Sequence, residues 1–164
     1  SNEIKYKTIN HNDDIVEVQI NKPIYKKRNI KINNYYGNYL DSGAKHLVIN
    51  YNDNWNNKKE LEKKMKKIRY DKIFSPDGIN INFYKQINLD TIQVKTYEKG
   101  IESLMDSCAS GSFACAYDYS KNNNIKSVKI INDGGNSEIL FSNNYQKNLF
   151  LSKGIIEFKG NIEV

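Results

Sequence analysis

The chain has 164 residues, a length that suits one compact domain with a small extension and suffices to bury a real core. A mean hydropathy of -0.74, with no apolar run near the roughly 20 residues that a bilayer span needs, excludes a transmembrane helix. The net charge of +6 comes largely from lysines scattered among Asn and Tyr, which reads as a solvated surface rather than a nucleic-acid face.

The chain opens Ser1-Asn2-Glu3 instead of Met, which fits either processing or excision with residual vector residues; residues 1–14 are expected to be an N-terminal extension, and upstream sequence is expected to be missing. No secretory leader is visible. Residues 15–164 form the single domain. Alternation at the strand period marks Val16, Val18 and Ile20 in "IVEVQI" and then "HLVINY" at 46–51. "NNKKELEKKMKKIRY" follows, with Leu61, Met65 and Ile68 on one narrow stripe and Asn57 placed to cap, which predicts an amphipathic surface helix. Its basic run lacks the aromatic interleaving of a nucleic-acid reader, so a solvated face is the better reading.

Next come the strands "GININFY", with Ile79, Ile81 and Phe83 on one face, and "TIQVKTY", with Ile92 and Val94. A second helix is predicted over 110–121. It is rich in Ala, Phe, Cys and Tyr and almost free of charge before Asp118, so it should be buried. Four short strands close the chain: "SVKII", "SEILFS", "NLFLS" and "IIEFKG", with turns at Gly134-Gly135, Asn143-Asn144 and Gly154. A buried helix among eight or more short strands predicts an α+β domain, a strongly curved sheet wrapped around that helix.

Both cysteines lie in "YEKGIESLMDSCASGSFACAYDY". Two are too few for a disulfide framework, and His11 and His46 are too few and too scattered for zinc, so no metal is expected and a reducing, cytoplasmic setting fits. Ser107 or Ser110 can cap the helix, leaving Cys108 at or just before its first turn, where unpaired amides and the positive dipole end favour an anion and a thiolate. The small residues Ala109, Ser110, Gly111 and Ser112 would let a ligand carboxylate reach those amides. A Ser-rich cap with a spare cysteine beside it fits the spacing equally well. Cys115, two turns into the helix, reads as packing.

"YEKGIESLMDSCASGSFACA" resembles the diaminopimelate epimerase signature, Tyr-Glu-Arg-Gly followed by Cys-Gly-Thr-Gly and a small-residue helix. Four other pieces agree in order: "INKP", "SGAKHLVIN", "SPDGININF" and "DGGNSEILF". The resemblance runs from about Ile15 to Val164 and covers the family's C-terminal half. It implies a lobe of that family, a mostly antiparallel curved sheet or barrel around a central helix, and a cofactor-independent isomerase. That isomerase would convert LL- to meso-diaminopimelate on the way to lysine and peptidoglycan precursors, with one thiolate removing the α-proton while a second thiol reprotonates from behind.

On this resemblance Cys108 is one catalytic cysteine, and its partner lies in an N-terminal lobe absent from this chain, which alone would be inactive. Glu98 and His46 match the glutamate and histidine that handle amine or thiol protonation. Asn80 matches the substrate-contacting asparagine, Ala109 and Ser110 the residues whose amides bind the α-carboxylate, and Lys99 the motif arginine at the distal end of the substrate. Ala44 and Lys45 replace the Asn-Pro before the motif histidine, so a related racemase, such as one for histidine, is the alternative substrate reading. The expected partners are an amino-acid substrate and the missing lobe, with a homodimer open and with no nucleic acid or membrane; the other class considered is a non-catalytic basic binding module.

Overall fold

Each of the two helices connects a pair of parallel strands, and the two cover opposite faces of one sheet. The computed structural model describes residues 6–8, 15–55 and 57–154. Its elements are β1 (Tyr6–Thr8), β2 (Ile15–Ile20), β3 (Ile24–Ile32), β4 (Tyr35–Asp41), β5 (Lys45–Asn50), α1 (Lys58–Arg69), β6 (Asn80–Asn88), β7 (Thr91–Tyr97), β8 (Leu104–Met105), α2 (Ala109–Asn123), β9 (Ser127–Asn132), β10 (Gly135–Phe141) and β11 (Asn148–Lys153). The strand order is β1-β2-β11-β10-β9-β7-β6-β5-β4-β3, with β8 paired to β7. Pairing is antiparallel except at β5–β6 and β7–β9, whose parallel register demands the long crossovers that contain α1 and α2.

The central strands are buried on both faces, and alternation divides their side chains between the helices. Leu47, Ile49, Ile81 and Phe83 join Leu61, Met65 and Ile68 of α1 in one core, so the predicted stripe of that helix is what it buries. The Asn57 side chain accepts from the Glu60 amide at 3.0 Å, as the cap reading requires. Val48, Tyr84, Ile92, Val94, Val128, Ile130, Ile139 and Phe141 form a second core with α2, in which residues 111–120 are all buried.

Tyr25 of β3 and Phe141 of β10 both reach the Tyr117 ring of α2, at centroid distances of 5.6 and 6.1 Å. Six strand spacings separate β3 from β10 in the sheet order, roughly 29 Å if flat, against a helix about 10 Å across. The sheet therefore curves around α2, as expected. Among the described residues no pairing joins β1 to β3, so this is an open curved sheet and not a closed barrel. The strand expected at 155–160 lies outside the described residues.

The sequence reading did not anticipate the β3–β4 hairpin. In β3 only Ile30 and Ile32 are buried, and Lys26, Lys27, Arg28, Asn29 and Lys31 are exposed, because the strand pairs on one side only and lies at the sheet edge. Asn29 has a φ of 52°, and the register with β4 shifts between Lys27 and Ile30, which breaks the period-two pattern.

Two polar clusters hold this frame. Asp118 of α2, 3% exposed, accepts from Tyr25 Oη at 2.8 Å, Asn38 Nδ2 at 2.8 Å and Tyr84 Oη at 3.2 Å, tying the helix to β3, β4 and β6. Burial raises its carboxyl pKa, and the three donors work against that shift. At the end of α1, Arg69 donates from Nε to both Glu102 oxygens at 2.8 Å, and its Nη2 lies 2.5 Å from Oε1. Tyr70 Oη and the Gly100 amide donate to the same carboxylate, at 2.8 and 3.1 Å. This clamp fixes the loop 98–103. Gly78 leaves room for it: with φ +66° it could not take a side chain without strain, and a Cβ there would stand 2.2 Å from Arg69 Nη1.

Asp118→Ala leaves one buried and two part-buried donors without their acceptor and should lower unfolding stability by about 3 kcal/mol, read from urea denaturation. The Arg69 hydrogen bonds hold the Glu102 carboxyl at about 2, below its ordinary 4.5. A depressed carboxylate pKa means that the unfolded chain takes up the proton first on acidification. The clamp's contribution is thus complete above 4.5 and is lost as pH falls towards 2. Urea midpoints followed across that window should fall less steeply for Glu102→Gln than for the native chain.

Candidate active site

The start of α2 is built around Cys108, which is itself the N-cap residue, with extended backbone (φ -144°, ψ 106°) and no side-chain capping bond. Neither serine expected at the cap performs that role. Ser107 lies outside the helix, and Ser110 is in its first turn with its hydroxyl turned to His46. The first bond of the helix runs from the Ser112 amide to the Cys108 carbonyl at 2.8 Å, so the amides of Ala109, Ser110 and Gly111 precede the ladder. Cys108 itself is partly exposed. Cys115 is fully buried, and burial pushes its thiol well above the ordinary range, which makes it an inert packing residue.

A line of polar groups leads from Cys108 into the sheet. Cys108 Sγ lies 3.7 Å from Ser110 Oγ, and Ser110 Oγ lies 3.1 Å from His46 Nε2. On the other side of the ring, His46 Nδ1 is 3.0 Å from Asn82 Nδ2, and Thr96 Oγ1 donates to Asn82 Oδ1 at 2.9 Å. His46, Asn82 and Thr96 are all at most 2% exposed. Burial is the chief cause of a low His46 pKa of about 4, and the Asp41 charge opposes it. The ring is therefore neutral at physiological pH, and the field at Cys108 owes nothing to an imidazolium.

Close approach makes this line possible. A Cβ on Gly111 would meet Asn82 Oδ1 at 2.3 Å and Thr96 Oγ1 at 3.0 Å, so the first turn of α2 sits directly on the polar row of β6 and β7. Ser42 Oγ donates to the Ser110 carbonyl at 2.9 Å from one side. From the other, Ser112 Oγ donates to Asn132 Oδ1 at 3.0 Å, and Asn132 Nδ2 reaches the Val94 carbonyl at 3.2 Å.

The remaining candidates gather at neighbouring strand ends. Asn80 lies opposite His46 in the parallel β5–β6 register; its amide donates to the Lys45 carbonyl at 2.9 Å and its Oδ1 accepts from the Lys99 amide at 2.8 Å. Its side chain thus braces the loop that follows β7. Glu98, half-buried, and Lys99, exposed, stand at the start of that loop, which the Arg69–Glu102 clamp holds from below. Among the described residues no hydrogen bond joins the Glu98 carboxylate to Cys108 or His46. Ala109 is in the first helical turn.

Asn82 and Thr96 were not singled out in the sequence as site residues, and Gly111 was marked only as one of the small residues beside the helix amides. A signal for Asn82 was present: in "GININFY" it alternates with Ile79, Ile81 and Phe83, so it must face the second core, where an amide needs partners. Thr96 carried a similar mark, sharing the buried face of "TIQVKTY" with Ile92 and Val94. Among the described residues no group of three or more His, Cys, Asp or Glu side chains could hold a metal, and no helix is long and apolar enough to cross a membrane.

No protein-family model matches the chain. It is 32% identical over 161 residues to the diaminopimelate epimerase of Flavobacterium psychrophilum, a match covering 94% of this chain and 59% of that protein. To the diaminopimelate epimerase of Aquifex aeolicus it is 35% identical over 104 residues, covering 62% of this chain and 37% of that protein. The chain thus spans between about a third and three fifths of the length of these curated relatives. Among solved structures, a phenazine biosynthesis PhzC/PhzF protein from Clostridium difficile (strain 630) shares the fold, with a TM-score of 0.55 and 11% identity over 98% of this chain and 61% of that one. With its motifs in order and this identity along nearly its whole length, the chain belongs with the diaminopimelate epimerase-like proteins, of which it spans a part.

Proposed function

We propose that this chain supplies one face of a cofactor-independent amino-acid epimerase site, with Cys108 as the proton acceptor and donor at the substrate α-carbon. The observation that carries the reading is a partly exposed cysteine as the N-cap of a buried helix, followed by three amides that precede its hydrogen-bond ladder. The relatives named diaminopimelate epimerase support the reaction class.

The chemistry proposed is the one that the resemblance to diaminopimelate epimerases implies. The Cys108 thiolate takes the α-hydrogen as a proton and becomes a thiol, while the electron pair of the broken C–H bond spreads into the substrate carboxylate. A second thiol, from a lobe outside these 164 residues, gives its proton to the opposite face and becomes the thiolate. The α-carbon is inverted, no electron leaves the substrate, and the two sulfurs exchange protonation states. Charge developing on the carboxylate is met by the amides of Ala109, Ser110 and Gly111 and by the positive end of α2, a preorganised anion site. Cysteine suits both roles because each member of the pair alternates between acid and base.

Glu98 takes, on the resemblance, the role of pairing with a substrate ammonium or handling its proton, and Asn80 holds the loop that carries it. Lys99 is the exposed charge offered to a distal group. Diaminopimelate, on the route to lysine and peptidoglycan precursors, is the substrate that the relatives' name supports. Ala44 offers no amide to a distal carboxylate, and Lys99 lacks the planar fork of an arginine, which favours as second reading a racemase for another amino acid such as histidine.

The test is α-hydrogen exchange in D2O by the full-length protein, against a panel that includes diaminopimelate and histidine, followed by NMR. Deuterium should enter with inversion, and Cys108→Ala should slow it by about 10²- to 10⁴-fold, the usual effect of losing a general acid–base group, while Cys115→Ala retains it. Exchange persisting unchanged in Cys108→Ala would refute the assignment, and no exchange with any amino acid would refute the reaction class.

A further inference from the structure

The line from Thr96 to Cys108 has a direction, and the donors and acceptors along it determine which. Asn82 Nδ2 lies 3.3 Å from the Leu47 carbonyl and 3.4 Å from the Asn80 carbonyl. Both carbonyls can only accept, so the atom facing them must be the amide nitrogen and not its oxygen. The Thr96 hydroxyl, donating to Asn82 Oδ1 from the other side, agrees with that orientation.

The same nitrogen faces His46 Nδ1 at 3.0 Å, so one of its two hydrogens is committed to the ring and the other is shared by the carbonyls. Nδ1 must then be the bare, accepting nitrogen, and the neutral ring carries its hydrogen on Nε2. That hydrogen points to Ser110 Oγ, 3.1 Å away. Having accepted it, Ser110 has its own hydrogen free for Cys108 Sγ at 3.7 Å, a reach suited to a bond to sulfur.

We propose that Asn82 fixes the tautomer of His46 and so sets a one-way hydrogen-bond chain, Thr96 to Asn82 to His46 to Ser110, whose last hydrogen is delivered to the Cys108 sulfur. Asn82, His46 and Ser110 are positioning residues, and none moves a proton to substrate. His46 is a donor in this chain and not the base that deprotonates Cys108. The arrangement favours the thiolate by a charge-assisted hydrogen bond without a neighbouring cation. Asp41 is the charged group whose field reaches His46; its negative charge favours the imidazolium, against which burial prevails. Gly111 belongs to the device, since any side chain there would occupy the space of Asn82 Oδ1 and lift Ser110 away from His46.

The use of this chain in catalysis rests on the proton-transfer role proposed for Cys108, but its test needs no substrate, so failure of one is distinguishable from failure of the other. Nitrogen NMR of the ¹⁵N-histidine-labelled protein at neutral pH should show His46 protonated on Nε2 and bare on Nδ1. The rate of Cys108 alkylation by iodoacetamide, read by mass spectrometry with fragment ions that separate Cys108 from Cys115, should fall about tenfold in Ser110→Ala. It should recover in Ser110→Thr, which restores the hydroxyl. Asn82→Leu should remove the tautomer preference and slow alkylation likewise; if that variant fails to fold, the native tautomer and the Ser110 pair still decide. His46 protonated on Nδ1 in the native protein, or an unchanged alkylation rate in Ser110→Ala, would overturn the proposal.

Discussion

The closeness of α2 to β6 at Gly111 is the constraint on which the Cys108 end of the molecule depends. Asn82 Oδ1 fills the space that a Cβ would need, at 2.3 Å, and only a residue without a side chain lets the first turn settle there. That contact brings Ser110 within 3.1 Å of His46 and so joins the helix start to a buried polar row. Without it, α2 could remain buried by its apolar residues, yet its amides and its thiol would stand in no defined relation to the sheet.

The rest of the fold serves to hold that contact. α1 and α2 lie on opposite faces, so the strands between them are fixed from both sides, and the Asp118 cluster anchors the far half of α2 to β3, β4 and β6. Cys108 is therefore carried by a helix tied at both ends. The loop bearing Glu98 and Lys99 is held separately, by Arg69 beneath it and by Asn80 beside it. Two supports meeting at one sheet end suit the proposed site, in which a small substrate would be positioned against the Cys108 sulfur.

The sequence was most legible where burial follows a period. Leu61, Met65 and Ile68 on α1, Ile79, Ile81 and Phe83 on β6, and the distinction between a reachable Cys108 and a buried Cys115 all emerged from spacing and composition. It was least legible where a strand is solvated: β3 exposes most of its length as an edge, so its lysines conceal the pattern. Polar residues were misread for a different reason. Ser110 looked like a cap because local rules see only the helix, whereas a histidine more than sixty residues earlier captures its hydroxyl. Asn82 and Thr96 have meaning only through each other and through His46, a relation set by strand register that no single segment contains.

The central claim is that Cys108 meets the substrate α-carbon. It is tested most directly by incubating the full-length protein with an amino-acid analogue carrying an electrophilic aziridine at the α-position, then locating the adduct by mass spectrometry. A single adduct on Cys108 within this chain, blocked by the matching amino acid, is the predicted result. An adduct on Cys115, or a Cys108 left unmodified by both configurations of an analogue that inactivates the protein, would contradict it.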